Sequence, residues 1–221
     1  MISDKESLEA VYLSHHATGK YGHLRSSERG WYLAEWIGQG KQVLDLGCRD
    51  GELTRFFAAG NKVTGADVDR KALELAKDKL GIETCWLDLN RELPFPEESF
   101  DVVVACEILE HVNYPQRLIP QVHSVLRPGG LFLGSAPNAF RLGNRLAFLL
   151  GMEFEKDPTH LHIFSRKRLR LMLSEYFKDV SLVPVGGRIL PGLPMSGRIP
   201  YPVGILFARN LLWRSVKDHS T

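Results

Sequence analysis

The run Val43-Leu44-Asp45-Leu46-Gly47-Cys48-Arg49-Asp50-Gly51 narrows the possible folds more than any other stretch of the chain. It reads as a short apolar strand entering a glycine-bearing turn, followed by a helix through Thr54, Phe56 and Phe57. Glycine has no Cβ, so such a turn lets backbone N–H groups approach a ligand closely. The helix N-terminus beyond it adds a partial positive charge. Many α/β proteins use the same turn as a plain connection. Its partner sharpens the signal: Val63-Thr64-Gly65-Ala66-Asp67 is a second short strand ending in an acid about 20 residues on, the spacing of a carboxylate that accepts from a ribose diol.

Around this pair, strand and helix patterns alternate. Gln42–Leu46 is expected as a strand, Gly51–Ala59 as a helix, Lys62–Asp67 as a strand, and Arg70–Leu80 as a helix with Ala72, Leu73, Leu75 and Ala76 on its apolar side. Glu83–Leu87 reads as a short strand. Phe100–Ala105 is β-branched and unbroken, as a strand buried on both faces should be. Tyr114–Leu126 is expected as a helix and Gly130–Ser135 as the next strand. The rhythm predicts an α/β protein with a parallel, doubly wound, Rossmann-like sheet and right-handed crossovers.

The flanks read differently. Tyr12–Glu28 is polar and aromatic without a clean period, either a loop or short helix over the site or a solvated leader. An amphipathic helix is expected from Ser27 to Ile37, stopped by Gly38. After Asn138 the pattern gives a helix over Ala139–Leu150, a polar loop from Glu153 to His162, and a basic helix over Arg166–Tyr176 capped by Ser165. Strands are expected at Asp179–Val185 and Asn210–Val216. Gly186–Arg209 between them, rich in Gly, Pro and apolar residues, reads as a long loop packed on its own domain in preference to a lid.

Composition excludes some classes. The 221 residues suffice for one large domain with a sizeable core. Lys and Arg number 28 against 26 Asp and Glu, so the net charge of +2 gives no general pull toward nucleic acid. Arg166, Lys167, Arg168 and Arg170 are therefore expected as a solvated face, with guidance of RNA or a phosphate-bearing substrate as the other reading. Three cysteines without CxxC spacing argue for a reducing compartment. The start is polar and carries no signal-peptide pattern. No run of about 18 apolar residues forms a transmembrane segment. A cytoplasmic protein is expected.

Six motifs occur in order: Val43-Leu44-Asp45-Leu46-Gly47-Cys48 with Gly51, Gly65-Ala66-Asp67, Trp86-Leu87-Asp88-Leu89, Phe95-Pro96 with Phe100-Asp101-Val102-Val103, Glu110-His111-Val112, and Leu126-Arg127-Pro128-Gly129-Gly130. The succession resembles the class I S-adenosylmethionine-dependent methyltransferases of the small-molecule type, from Trp31 to Val185. That resemblance implies a seven-stranded sheet whose last strand is antiparallel. It implies one methyltransferase domain over 1–221, with a helical cap at 1–40, a cofactor-binding core at 41–138 and substrate-side loops in 139–221. It implies that Asp45 and Gly47, on a turn shared with Arg49 and Gly51, lie beside the methionine part of the cofactor. Asp67 would take the ribose hydroxyls, Val68 the adenine face, Asp88 the adenine amino group and the Leu89 N–H a ring nitrogen. The Cys106 backbone would lie near the methionine moiety. Asp50 and Asp69 read better as helix N-terminal acids. One departure stands out: the family pattern has glycine where this chain has Arg49. A side chain there either crowds the methionine end or demands a backbone conformation costly for a non-glycine residue, or it turns outward to pair with an acid such as Asp50.

Glu107, Glu110 and His111 form an E-x-x-E-H cluster, and Thr159-His160-Leu161-His162 lies in a later loop. This arrangement is similar to metal-dependent 2′-O-methyltransferases of small-RNA 3′ ends and to ubiquinone-pathway O-methyltransferases. It implies that Glu107, Glu110, His111 and His160 hold Mg²⁺, Mn²⁺ or Zn²⁺. In metal-free relatives the same histidine faces the acceptor or fixes the loop. His111 is the expected base or orienter and His160 the second candidate. The resemblance thus implies methyl transfer to an oxygen or nitrogen of a small, apolar metabolite. Similarity to the methionine-biosynthesis W-type proteins around Pro137-Asn138 and Thr159–Arg166 keeps open a catalytically silent accessory protein with a protein partner or a second copy. An RNA methyltransferase is the third reading.

Overall fold

The computed structural model describes residues 26–155, 157–190, 193–194 and 203–219. Nearly all of the Tyr12–Glu28 stretch, and much of Gly186–Arg209, lies outside the described residues. The chain divides into two compact units, residues 1–88 and 89–221, which part between Asp88 and Leu89.

The first unit contains α1 (Ser26–Ile37), β1 (Gln42–Leu46), α2 (Arg55–Ala58), β2 (Lys62–Asp67), α3 (Arg70–Leu80) and β3 (Glu83–Trp86). β2 lies between β1 and β3 and is parallel to both, with Leu46 beside Ala66 and Asp67 beside Trp86. Asp69 starts α3 by accepting from the amides of Lys71 and Ala72, and Gly81 ends it in the left-handed region at φ +66°. Ala72, Leu73 and Ala76 are buried, whereas Leu75, expected on the same face, is 50% exposed. At 100° per residue Leu75 stands 200° from Leu73, so the helix turns it to solvent. α2 is shorter than the Gly51–Ala59 helix expected. Gly51 has φ +79°, outside the right-handed helix, and residues 51–54 form turns instead.

The second unit contains β4 (Phe100–Cys106), α4 (Pro115–Val125), β5 (Leu126–Pro137), α5 (Leu142–Leu149), α6 (Arg166–Ser174), β6 (Lys178–Leu190), β7 (Leu193–Pro194), α7 (Val203–Phe207) and β8 (Ala208–Val216). Its strand order is β4-β5-β8-β6-β7. β4 and β5 are parallel, and β8 runs antiparallel to both β5 and β6, as expected of the last strand. The two-residue β7 is an addition to the expected set. β6 continues to Leu190 through residues read as loop, pairing there with β7, and α7 occupies the end of the same stretch. Phe132, on β5, packs its ring 5.4 Å from Phe177 and 5.5 Å from Trp213, centring the aromatic part of this core. The helix expected over Ala139–Leu150 is trimmed to α5, and none of its residues is buried. No described helix is long and apolar enough to cross a membrane.

Candidate functional site

In the first unit, the site is built where three parallel strands end. β1 stops at Leu46, and Gly47 (φ +75°), Arg49 (φ +52°) and Gly51 (φ +79°) bend the chain back through left-handed conformations. Two of these suit glycine; Arg49 is held there against its steric preference. The amides of Gly47 and Cys48 both donate to the Ala66 carbonyl, at 2.7 and 3.2 Å, anchoring the turn to β2. The Arg49 amide then donates to Asp67 Oδ2 at 2.9 Å, and the Asp69 amide donates to Oδ1 at 2.9 Å. One backbone N–H thus orients each Asp67 oxygen.

Asp45 braces the same turn from below. It is 3% exposed, and its Oδ2 accepts from Thr54 Oγ1 at 2.7 Å. Burial pushes its carboxyl up to about 7, against the lowering effect of the Thr54 bond and with a further upward push from the Asp67 charge. Asp69 is the helix N-terminal acid that was expected, but Asp50 is not. The helix begins beyond it at Arg55, and the Asp50 carboxylate pairs with Lys79 Nζ at 2.9 Å. The Arg49 charge considered from sequence also favours the ionised Asp50, while Lys79 supplies the hydrogen bond. Burial pushes the Cys48 thiol up, so it is no thiolate. A Cβ on Gly65 would lie 2.6 Å from Cys48 Sγ, so the glycine within β2 marks a close approach.

Val68 and Asp88 complete this half. The Val68 carbonyl accepts from Trp86 Nε1 at 2.8 Å, and the Arg70 guanidinium lies 4.9 Å over the Trp86 ring. The Leu87 amide donates to the Asp67 carbonyl at 2.9 Å, aligning the ends of β2 and β3 so that Asp88 follows directly. Asp45, Gly47, Arg49, Gly51, Asp67, Val68 and Asp88 therefore sit at or just past the carboxyl ends of neighbouring parallel strands, where open α/β sheets bind ligands. Leu89 and Cys106 belong to the second unit. Leu89 lines a recess with Tyr114 and Arg117, and Cys106 ends β4 in register with Ser135.

The second unit holds a histidine and carboxylate cluster. Glu110, His111 and His160 bring one ligand atom each within 4.8 Å of one another, and Glu110 is fully buried. The later loop is latched onto the earlier one: the amides of Leu161 and His162 donate to the Glu110 carbonyl at 2.8 and 3.2 Å. His162 Nε2 lies 3.0 Å from the Val112 carbonyl, which makes it a loop fastener. His111 Nδ1 lies 3.1 Å from the Thr159 carbonyl oxygen and 3.1 Å from Thr159 Oγ1. A carbonyl only accepts, so the neutral ring carries its hydrogen on Nδ1 and its lone pair on Nε2. Burial, followed by the neighbouring His160, holds the His111 pKa below the ordinary histidine value; the Thr159 bond, Asp157 and Glu107 offset this in part. His160 Nδ1 lies 3.1 Å from Glu155 Oε1, its Nε2 lies 3.7 Å from Asp157 Oδ2, and its ring meets the His111 ring edge-on at 4.7 Å.

Glu107, expected in the same ligand set, is not among the gathered groups. It has φ +57°, and its amide donates to the Ser135 carbonyl at 2.7 Å. Its Oε1 accepts from Ser135 Oγ and its Oε2 from Asn210 Nδ2, both at 2.7 Å. Glu107 thereby joins β4, β5 and β8. Sequence reasoning missed Thr54, Ser135, Asn210, Asp157 and Thr159. Only the last two left a local signal: Asp157-Pro158-Thr159 is turn chemistry in which the aspartate accepts from an amide two residues on, here at 2.9 Å.

A family model described as a methyltransferase domain matches residues 15–180. The chain is 34% identical over 124 residues to a protein of Coxiella burnetii named ubiquinone biosynthesis O-methyltransferase, covering 52% of each. It is 31% identical over 170 residues to a protein of that name from Ralstonia nicotianae, covering 72% of this chain and 70% of the relative. The chain spans about half the length of the first of these curated relatives. A solved structure from Thermotoga maritima, described as an S-adenosylmethionine-dependent methyltransferase and possible histamine N-methyltransferase, superposes with a TM-score of 0.72 at 14% identity, covering 95% of this chain and 99% of that one. At that identity the likeness establishes the fold, which is the doubly wound α/β class expected.

Proposed function

This chain belongs to the methyltransferase-domain family of S-adenosylmethionine-dependent proteins, and from that premise we propose that it moves the cofactor's methyl group to an oxygen of a small molecule. The observation that carries the cofactor part is Asp67. Its carboxylate sits at the end of β2 with each oxygen oriented by a backbone amide, the arrangement expected of an acceptor for a ribose diol. Asp88 takes the adenine amino group, Val68 flanks the base, and Gly47, Arg49 and Gly51 serve the methionine end. Asp45 holds the turn in place from its buried bond to Thr54.

An oxygen acceptor is favoured over nitrogen by the names of the two curated relatives and by the state of His111. The cofactor, when bound, would supply an electrophilic methyl group to an acceptor hydroxyl, its sulfonium sulfur being the leaving group. The hydroxyl proton goes to His111 Nε2, which holds the lone pair and is neutral near pH 7 because burial keeps the ring's pKa low. Alignment of acceptor and methyl carbon supplies much of the remaining acceleration. His160 shapes the field beside His111. The test is transfer of labelled methyl from S-adenosylmethionine to a panel of phenolic and alcoholic acceptors. His111→Ala should lower kcat roughly 10²–10⁴-fold, the usual contribution of a general base. Unchanged turnover in that variant would remove His111 from the chemistry.

A second reading has its own observation, the gathering of Glu110, His111 and His160. Two imidazoles and a carboxylate suit a divalent ion such as Mn²⁺ or Zn²⁺. Those three residues would hold it, and it would lower the pKa of an acceptor hydroxyl. Glu107 brings no oxygen to that set. Saturable binding of Mn²⁺ or Zn²⁺ that disappears in Glu110→Ala supports this reading; no saturable binding by the wild type sinks it.

A further inference from the structure

The 157–160 loop does more than stand beside His111, and the reason lies in where its hydrogens must go. Thr159 Oγ1 is 2.6 Å from Asp157 Oδ1, and the same carboxylate oxygen accepts from the Thr159 amide at 2.9 Å. A carboxylate accepts and a hydroxyl has one hydrogen, so the Thr159 hydrogen points at Asp157. What Thr159 Oγ1 presents to His111 Nδ1, 3.1 Å away, is therefore a lone pair. The Thr159 carbonyl presents another at 3.1 Å. Two acceptors converge on one ring nitrogen.

We propose that Asp157 and Thr159 are positioning residues that lock His111 in the Nδ1–H tautomer, leaving the Nε2 lone pair as the reactive face of the ring. This rests on the reading of His111 as the residue that takes the acceptor's proton. Asp157 acts by claiming the one hydrogen that would otherwise let Thr159 donate to Nδ1. Without Asp157 the hydroxyl is free to reverse and donate to that nitrogen. The ring then carries its hydrogen on Nε2, where it can neither accept a proton nor ligate. Partners on one ring nitrogen fix which nitrogen of a histidine stays reactive at catalytic and metal sites, and here that partner is a hydroxyl aimed by a carboxylate. His111 and Thr159 are 48 residues apart in sequence, so the device needs the two loops held together, as the Glu110 carbonyl and His162 hold them.

The test reads the tautomer directly, by ¹⁵N NMR of His111 in protein labelled at histidine nitrogens, alongside the methyl-transfer rate. Wild type should show Nδ1–H. Asp157→Ala should gain an Nε2–H population and lose activity by roughly 10–100-fold, the usual cost of removing an outer-shell partner of a histidine. The decisive variant is D157A/T159V. It lacks the same carboxylate but has no hydroxyl to reverse, and the Thr159 carbonyl position remains as acceptor. It should return His111 to Nδ1–H and recover much of the lost rate. A merely structural role for Asp157 predicts instead a double variant no better than D157A. That result overturns the proposal, as does Nε2–H in the wild type or Nδ1–H retained in D157A. Tautomers that shift as stated with no change in rate support the positioning device and refute His111 as the base, so the two failures are separable.

Discussion

Arg49 shows how one residue can be both wrong for its place and used in it. At φ +52° it pays the steric cost of a left-handed Cβ, yet its amide is the donor that orients Asp67 Oδ2. Glycine would adopt the same conformation freely and keep the amide. Arg49→Gly should therefore raise stability by about 1 kcal/mol in thermal or denaturant unfolding and leave cofactor affinity within about twofold, well under the tenfold that 1.4 kcal/mol would give. A large loss of affinity would mean that the side chain, and not the amide, serves the site. Asp45 makes a second residue-scale prediction, through pH. Its carboxyl titrates near 7 in the folded chain against an ordinary value of 3.8. Between those values the folded chain holds a proton that the unfolded chain has released, so this group's contribution to stability falls as pH rises, by on the order of 4 kcal/mol in all. Asparagine at position 45 keeps an acceptor for Thr54 and removes the titration. Asp45→Asn should gain stability relative to wild type from pH 5 to pH 8 in urea titrations, and a constant difference across that range would contradict the assignment of burial as the cause.

At the scale of elements, legibility followed locality. The strands β1, β2 and β4 and the helix α3 were readable because each signal is carried within the element: unbroken apolar runs, a 3.6-residue period, Asp69 before α3 and Gly81 after it. Boundaries slipped where a tertiary bond decides them. Residues 51–54 turn instead of coiling because Gly51, at φ +79°, lies outside the right-handed helix, and Asp45, nine residues back, then fixes the Thr54 hydroxyl. The α5 helix shows the converse case. It is rich in apolar residues, yet Leu146 is 50%, Phe148 70% and Leu149 78% exposed. Leu149→Glu should accordingly change stability by no more than about 0.5 kcal/mol, as surface substitutions do; a cost near that of a core leucine, roughly 2–5 kcal/mol, would place α5 inside the protein. The Glu107 result has the same origin. The E-x-x-E-H spacing is local and legible, but the partners that claim the Glu107 carboxylate, Ser135 and Asn210, are 28 and 103 residues away. Sequence proximity grouped it with the histidines; its charge still acts on His111, but its oxygens are held by the neighbouring strands.

For the molecule as a whole, the two halves of the function were unequally visible. The cofactor half lies at strand ends, so Asp67 could be named from spacing and Asp88 from the family resemblance. The acceptor half depends on a loop that returns 48 residues later to set the state of His111, and such closures leave little local trace beyond the turn chemistry of Asp157-Pro158-Thr159. Binding of S-adenosylmethionine through Asp67 is the claim on which the rest stands. Calorimetric titration of the purified, cofactor-stripped protein with S-adenosylmethionine and S-adenosylhomocysteine tests it most directly, with Asp67→Ala in parallel. The account predicts saturable binding of both by the wild type, and a loss of at least tenfold in Asp67→Ala, since truncating an acceptor of charge-assisted hydrogen bonds costs roughly 1.5–3 kcal/mol. A folded wild type that binds neither ligand, or an Asp67→Ala variant that binds as the wild type does, would contradict it.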